Sequence, residues 1–148
     1  MANLSALWVA AAVFAQVALA LGLLGYLGSI RIPLIMRGKV GVRDIALSRD
    51  PWPEQEKKVS NAFDNQFQLP VLFYLACGFS ILMNAGVLDV ILAWAFVISR
   101  YVHAAIFITS NDVVRRFFAY SIGYGIVCAF WLLLAIRLVA VGIAFGLH

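Results

Sequence analysis

The chain has 148 residues, of which 64% are hydrophobic and 12% are charged, and its formal net charge is +4. Soluble domains are about half apolar and roughly a quarter charged, so this composition excludes an ordinary soluble domain and indicates an integral membrane protein. The positive charge is typical of basic loops beside anionic lipid and gives no reason to expect a nucleic-acid partner.

Four apolar segments follow one another along the chain. They are Leu4–Gly28, Leu69–Asn84, Val87–Thr109 and Phe117–Leu147. A membrane-spanning helix needs about 20 residues, whereas a strand of a membrane barrel needs about 9–11. The sequence therefore predicts an all-α membrane protein, with residues 1–148 forming one domain of four transmembrane helices.

The first predicted span covers residues 4–28. The tripeptide Ala18-Leu19-Ala20 resembles a signal-peptide cleavage site, but residues 1–20 contain no Lys or Arg, and a signal peptide normally begins with a basic region. We therefore expect the first helix to be retained.

The later spans are predicted over residues 53–84, 87–109 and 117–147. The second begins early because Pro53 suits the first helical position, and Glu54 and Glu56 in the first turn complement the helix dipole. At about 1.5 Å per residue this helix exceeds the hydrocarbon core, so its first turns are expected to project into the headgroup region.

Basic residues are unevenly distributed among the connections. Between spans 1 and 2 lie Arg31, Arg37, Lys39, Arg43, Arg49, Lys57 and Lys58, and between spans 3 and 4 lie Arg115 and Arg116. By the positive-inside rule, the first and third connections are expected to be cytoplasmic and both termini outside. We interpret Arg115 and Arg137 as side chains that reach lipid headgroups.

Polar side chains recur at helical spacing on the three later helices, at the ends that share one side of the membrane. These stripes are Asn61, Asp64, Asn65 and Gln68; Arg100, His103, Phe107 and Asn111; and Arg116, Tyr120 and Tyr124. Ionisable residues within a membrane are costly and usually face a bundle interior or a wet cavity. We expect the stripes to share an inner recess suited to a ligand with carboxylates and an ammonium group. Alternatively, such side chains could reach the headgroups, or Asp64 could form a structural ion pair with Arg100 or Arg116.

The second span carries the first pattern of a known family. Asn65-x-x-Gln68 followed by Pro70 resembles a helix-2 motif in which an Asn precedes an acidic residue shortly before a proline. In this respect the chain is similar to the membrane-associated proteins in eicosanoid and glutathione metabolism, the MAPEG family. The stretch 68–74, QLPVLFY, resembles bacterial members.

The third and fourth spans continue the resemblance. Arg100-x-x-His103 resembles the family's helix-3 pattern, and Arg116, thirteen residues after His103, lies where that pattern has a functionally important Arg. Tyr120 follows at the matching interval. The likeness covers about residues 57–125, in addition to the four-span layout.

The resemblance implies a homotrimer in which glutathione, as co-substrate, lies between protomers at the cytoplasmic side. It implies that Arg116 is catalytic and stabilises the glutathione thiolate. The implied glutathione-binding residues are Asn65, Gln68, Asp64, Arg100, His103 and Tyr120. It further implies a lipophilic second substrate that enters from membrane lipid, and no metal. We expect the protein in a bacterial inner membrane.

Three departures from the family pattern leave two functions open. Gln68 replaces the helix-2 acid, Asn61 replaces an Arg found in many members, and Phe107 replaces a Tyr. One function is a glutathione transferase or peroxidase acting on lipophilic electrophiles, with Asp64 supplying the missing charge. The other is a non-catalytic lipid-binding protein or accessory subunit. A small multidrug exporter and a haem-anchoring subunit are disfavoured because the spans lack, respectively, a suitable carboxylate and a second His.

Overall fold

The computed structural model of the protein describes residues 3–46 and 48–144. Helix α1 spans Leu4–Met36, α2 Glu54–Asp64, α3 Leu69–Leu82, α4 Val87–Ile108 and α5 Val113–Ala144, and a 3-10 turn, Asn65–Phe67, joins α2 to α3. Four helical stretches in this part of the chain are long and apolar enough to cross a membrane, the second being Glu54–Leu82. The predicted all-α, four-span fold is confirmed. The expected end of the last span, at residues 145–147, lies outside the described residues.

The first helix is longer than its apolar run, because it continues through Pro33 to Met36. Side chains at or just before the start of the second span contact this C-terminal extension of α1. Arg31 Nε donates to Glu56 Oε1 at 2.7 Å, and the Arg31 guanidinium lies 5.2 Å from the centre of the Trp52 ring. Glu56 is fully buried, so its carboxylate does more than complement the helix dipole: it fastens the end of α1 to the start of α2.

The second span is not the continuous helix that the sequence predicts. Gln68 has φ −104° and ψ −102°, which is not helical, and a new helix begins at Leu69 with Pro70 in its first turn. A proline lacks the N–H that a helix interior requires but is well tolerated in a first turn. Pro70 therefore favours a new helix that starts at this point, and the break lies beside the polar cluster of this span.

Side-chain contacts define the two ends of the bundle. At one end, Gln55 Nε2 donates to the carbonyl of Ile108 at 3.0 Å, so the start of α2 meets the end of α4. At the other end, Asn3 Nδ2 donates to the carbonyl of Ala85 at 2.6 Å and ties the start of α1 to the turn between α3 and α4. We call these the α2 end and the Asn3 end.

An ion pair closes the Asn3 end. Asp89, fully buried in the first turn of α4, accepts from Arg137 Nη1 at 3.0 Å through Oδ1, and its Oδ2 lies 2.8 Å from Arg137 Nη2. Asp89 Oδ2 also accepts from the backbone N–H of Gly86 at 2.7 Å. The sequence interpretation of Arg137 as a headgroup-seeking side chain is therefore wrong, because its guanidinium clamps α5 onto α4.

The apolar core is assembled around α4, which packs between α1 and α5. Phe73 of α3 stacks on Phe96 of α4 with ring centroids 4.5 Å apart, and both rings are buried. Within this core lies a polar contact that the sequence did not predict. Gln16 Nε2 of α1 donates to Gln66 Oε1 at 2.8 Å, and Gln66 Nε2 donates to the carbonyl of Ala62 at 2.9 Å. Both glutamines are buried.

Candidate functional site

A recess of about 230 Å³ lies at the α2 end, where the 3-10 turn, α4 and α5 meet. It is lined by Asn65, His103, Phe107, Val113, Arg116, Phe117 and Tyr120. Each of the three predicted polar stripes contributes at least one of these side chains. Val113 and Phe117 are about two-thirds exposed, at 67% and 65%, so they form an open rim.

The cation of the recess is Arg116, in the first turn of α5. Its Nη1 donates to Asn111 Oδ1 at 2.6 Å, and its guanidinium carbon lies 4.1 Å from the centre of the Phe107 ring. Such a stacked guanidinium is attracted to the face of the ring. The arrangement fixes the guanidinium at one edge and on one face, and leaves its remaining N–H groups to donate to a ligand.

His103 and Tyr120 form the aromatic wall beside Arg116. Their ring centroids are 5.9 Å apart, and the His103 ring packs edge-on against Phe107 at 5.3 Å. Arg100 Nη2 lies 3.2 Å from His103 Nδ1. Because a guanidinium can only donate, this contact places the imidazole proton on Nε2.

Arg100 lies behind this wall and does not line the recess. It is fully buried, and its guanidinium carbon is 5.8 Å from the centre of the Tyr120 ring. Among the described residues, its Nε and Nη1 have no hydrogen-bond partner. Arg100 therefore contacts two lining residues, His103 and Tyr120, from behind and places a positive charge near the recess.

The side chains of the helix-2 stripe do not all face the recess. Asn65 faces the recess, and its Nδ2 donates to the carbonyl of Asn61 at 2.9 Å. Asp64 is exposed and pairs with Arg49 of the first connection at 2.9 Å, so it forms no ion pair with Arg100 or Arg116. Gln68 is exposed at the break and does not line the recess. On α5, Tyr124 is 56% exposed and does not line the recess.

Sequence reasoning missed two features that hold Arg116. Asn111 and Phe107 belong to the predicted helix-3 stripe, but helical spacing does not indicate their contacts with Arg116. The Asn111 amide oxygen accepts from the guanidinium, and the Phe107 ring packs against it. The Asn111-Asp112 pair indicates a turn between two helices. The signal in the sequence was that these turn residues lie five and four positions before Arg116, the predicted catalytic residue.

The recess favours an anionic ligand. Arg116 lies in it, Arg100 lies behind it, and His103 and Tyr120 add polar groups. Small-molecule sites usually enclose about 300–1,000 Å³, so this shallow recess suits the reactive part of a ligand whose remainder lies beyond the rim.

The four-span helical bundle defines an integral membrane protein with a cationic recess at one end of the spans. The family model of the MAPEG family matches residues 5–136, which is most of the chain, and the chain belongs to the MAPEG family. No curated protein and no solved structure matches the chain.

Proposed function

We propose that the protein is a glutathione-dependent transferase or peroxidase that acts on lipophilic electrophiles. The observation that carries the proposal is the anchored guanidinium of Arg116 in a recess that also contains His103, Tyr120 and Asn65. Membership of the MAPEG family supports glutathione as the co-substrate.

Arg116 is the proposed stabiliser of the glutathione thiolate. A free thiol has a pKa of about 8.5, and a neighbouring cation lowers it and enriches the nucleophile at neutral pH. The thiolate sulfur attacks the electrophilic atom of the second substrate, whose leaving group takes the electron pair. The free N–H groups of Arg116 would donate to the sulfur before attack.

Glutathione would extend beyond the recess. Asn65, His103 and Tyr120 would bind its polar groups, with Arg100 acting through His103. The exposed rim at Val113 and Phe117 leaves room for a neighbouring protomer to complete the site. We therefore propose a homotrimer in a bacterial inner membrane, with the α2 end cytoplasmic, both termini outside, and the lipophilic substrate entering from membrane lipid.

Two observations on helix-2 residues favour the second candidate, a non-catalytic lipid-binding protein or accessory subunit. Gln68 is a neutral amide at the position where the family has an acid, and Asp64 is already paired with Arg49. A site without a free carboxylate offers less to the ammonium group of glutathione. Direct binding measurements separate the two candidates.

Titration of the purified, detergent-solubilised protein with glutathione is the first test. We expect saturable heat of binding and a higher unfolding temperature in millimolar glutathione, because a ligand that binds only the folded state stabilises it. S-methylglutathione is the control for the thiol, since it keeps the carboxylates and the ammonium group. If neither heat nor thermal shift is seen, the enzyme proposal is wrong and the non-catalytic alternative stands.

Gln68→Glu is expected to tighten glutathione binding by roughly two- to fivefold, the effect of one exposed ion pair with the ammonium group. Asp64→Asn, one turn earlier, is the matched control. It should change affinity by less than roughly twofold, because Asp64 is exposed and engaged by Arg49. Calorimetric titration of both variants measures the difference. A loss of affinity in Asp64→Asn would instead assign the ammonium group to Asp64.

A further inference from the structure

Two asparagines with left-handed backbones flank α4. Asn84 precedes the helix with φ 60°, and Asn111 follows it with φ 53°. Asparagine enters this region more readily than most residues with side chains. The backbone N–H of Asn111 also donates to the carbonyl of Ile106 at 2.7 Å, so the turn after α4 is fixed. The direction of the Asn111 side chain is set by that turn.

The amide of Asn111 is not used to cap α5. Capping falls to the next residue, since Asp112 Oδ1 accepts from the backbone N–H of Arg115 at 2.9 Å. Asn111 Oδ1 instead accepts from Arg116 Nη1 at 2.6 Å. The two neighbouring side chains of the turn thus have separate partners, one on the helix backbone and one on the guanidinium.

Arg116 differs from five other basic side chains in the groups that it contacts. A carboxylate oxygen lies within 4 Å of Arg31, Arg49, Lys58, Arg115 and Arg137. The contacts of Arg116 are with a neutral amide and the neutral ring of Phe107. Both supports fix the position of the guanidinium without cancelling its charge.

We propose that Asn111 is a positioning residue that holds the Arg116 guanidinium at the recess and leaves its charge available to an anion. The role rests on the proposed function, in which that anion is the glutathione thiolate. An aspartate at the same position would keep the hydrogen bond but place a negative charge beside Arg116. Neutrality at position 111 is therefore as important as the hydrogen bond.

Asn111→Asp and Asn111→Gly separate the two requirements. In Asn111→Asp the pH profile of turnover should move up by roughly one unit, because an opposite charge on Arg116 weakens its stabilisation of the thiolate. In Asn111→Gly, which keeps the positive φ, turnover should fall roughly tenfold, the loss of one hydrogen bond to a charged group. Ultraviolet titration of bound glutathione measures the thiolate directly in each variant.

Asn84→Gly is the matched control, since it makes the same replacement at the same kind of backbone site. Asn84 is exposed at the other end of α4, and its variant should keep the native rate and pH profile. An unchanged pH profile in Asn111→Asp, or native turnover in Asn111→Gly, overturns the role of Asn111 while native activity upholds the proposed function. Failure of the native protein to bind glutathione overturns both.

Discussion

Arg116→Ala is expected to lower glutathione-dependent turnover of a model electrophile by roughly 10²–10³-fold, the usual cost of removing a donor aimed at developing or resident negative charge. The substitution removes the recess cation and leaves the thiol near its ordinary pKa of about 8.5. Turnover should consequently recover in part as the pH is raised through that value. Initial rates across a pH series, at saturating glutathione, measure both effects.

Arg115→Ala is the control for Arg116→Ala, because the two arginines are adjacent in the sequence and differ in surroundings. The side chain of Arg115 is 74% exposed and lies 3.9 Å from Asp112, outside the lining of the recess. Its variant removes the same net charge and should keep native turnover. Equal turnover in native protein and Arg116→Ala would show that another group stabilises the thiolate.

Arg137→Met is expected to destabilise the fold by about 2–4 kcal/mol, because it leaves the buried carboxylate of Asp89 without its counterion. The backbone N–H of Gly86 remains as a donor but supplies no full charge. Thermal unfolding of the ligand-free protein in detergent measures the loss. Combining Arg137→Met with Asp89→Asn should restore much of it, since the remaining amide is neutral.

The exposed pair of Arg115 and Asp112 provides the control for Arg137→Met. Exposed ion pairs contribute about 0–1 kcal/mol, so Arg115→Met should leave the unfolding temperature close to native. If Arg137→Met unfolds at the native temperature too, the ion pair at the Asn3 end contributes little to stability.

The sequence predicted the four spans well because apolar run length alone decides what can cross a bilayer. It also predicted that three helices would contribute to one recess, since helical spacing fixes which side chains share a face. Spacing does not fix how deep a residue lies once neighbouring helices pack. Arg100 shares a face with His103, yet only His103 reaches the recess.

Contacts made by side chains in irregular segments could not be predicted from the sequence. Arg49 lies in the first connection, where no periodicity indicates its direction, and its contact with Asp64 removes that carboxylate from the site. The break at Gln68 was foreseeable in part, because an interior proline removes one helical hydrogen bond and kinks or breaks the helix. Whether a helix bends or restarts at a proline depends on tertiary packing, which one sequence does not reveal.

The hydrogen bond between Gln16 and Gln66 has a consequence for how the spans find one another. Lipid tails and aliphatic side chains are equally apolar. Apolar helix faces in a bilayer therefore give little preference for one rotation of a helix about its axis over another. The 2.8 Å hydrogen bond between these two buried side chains forms only at one rotation and one height of α1. The pair therefore fixes the rotation and height of α1 relative to the second span.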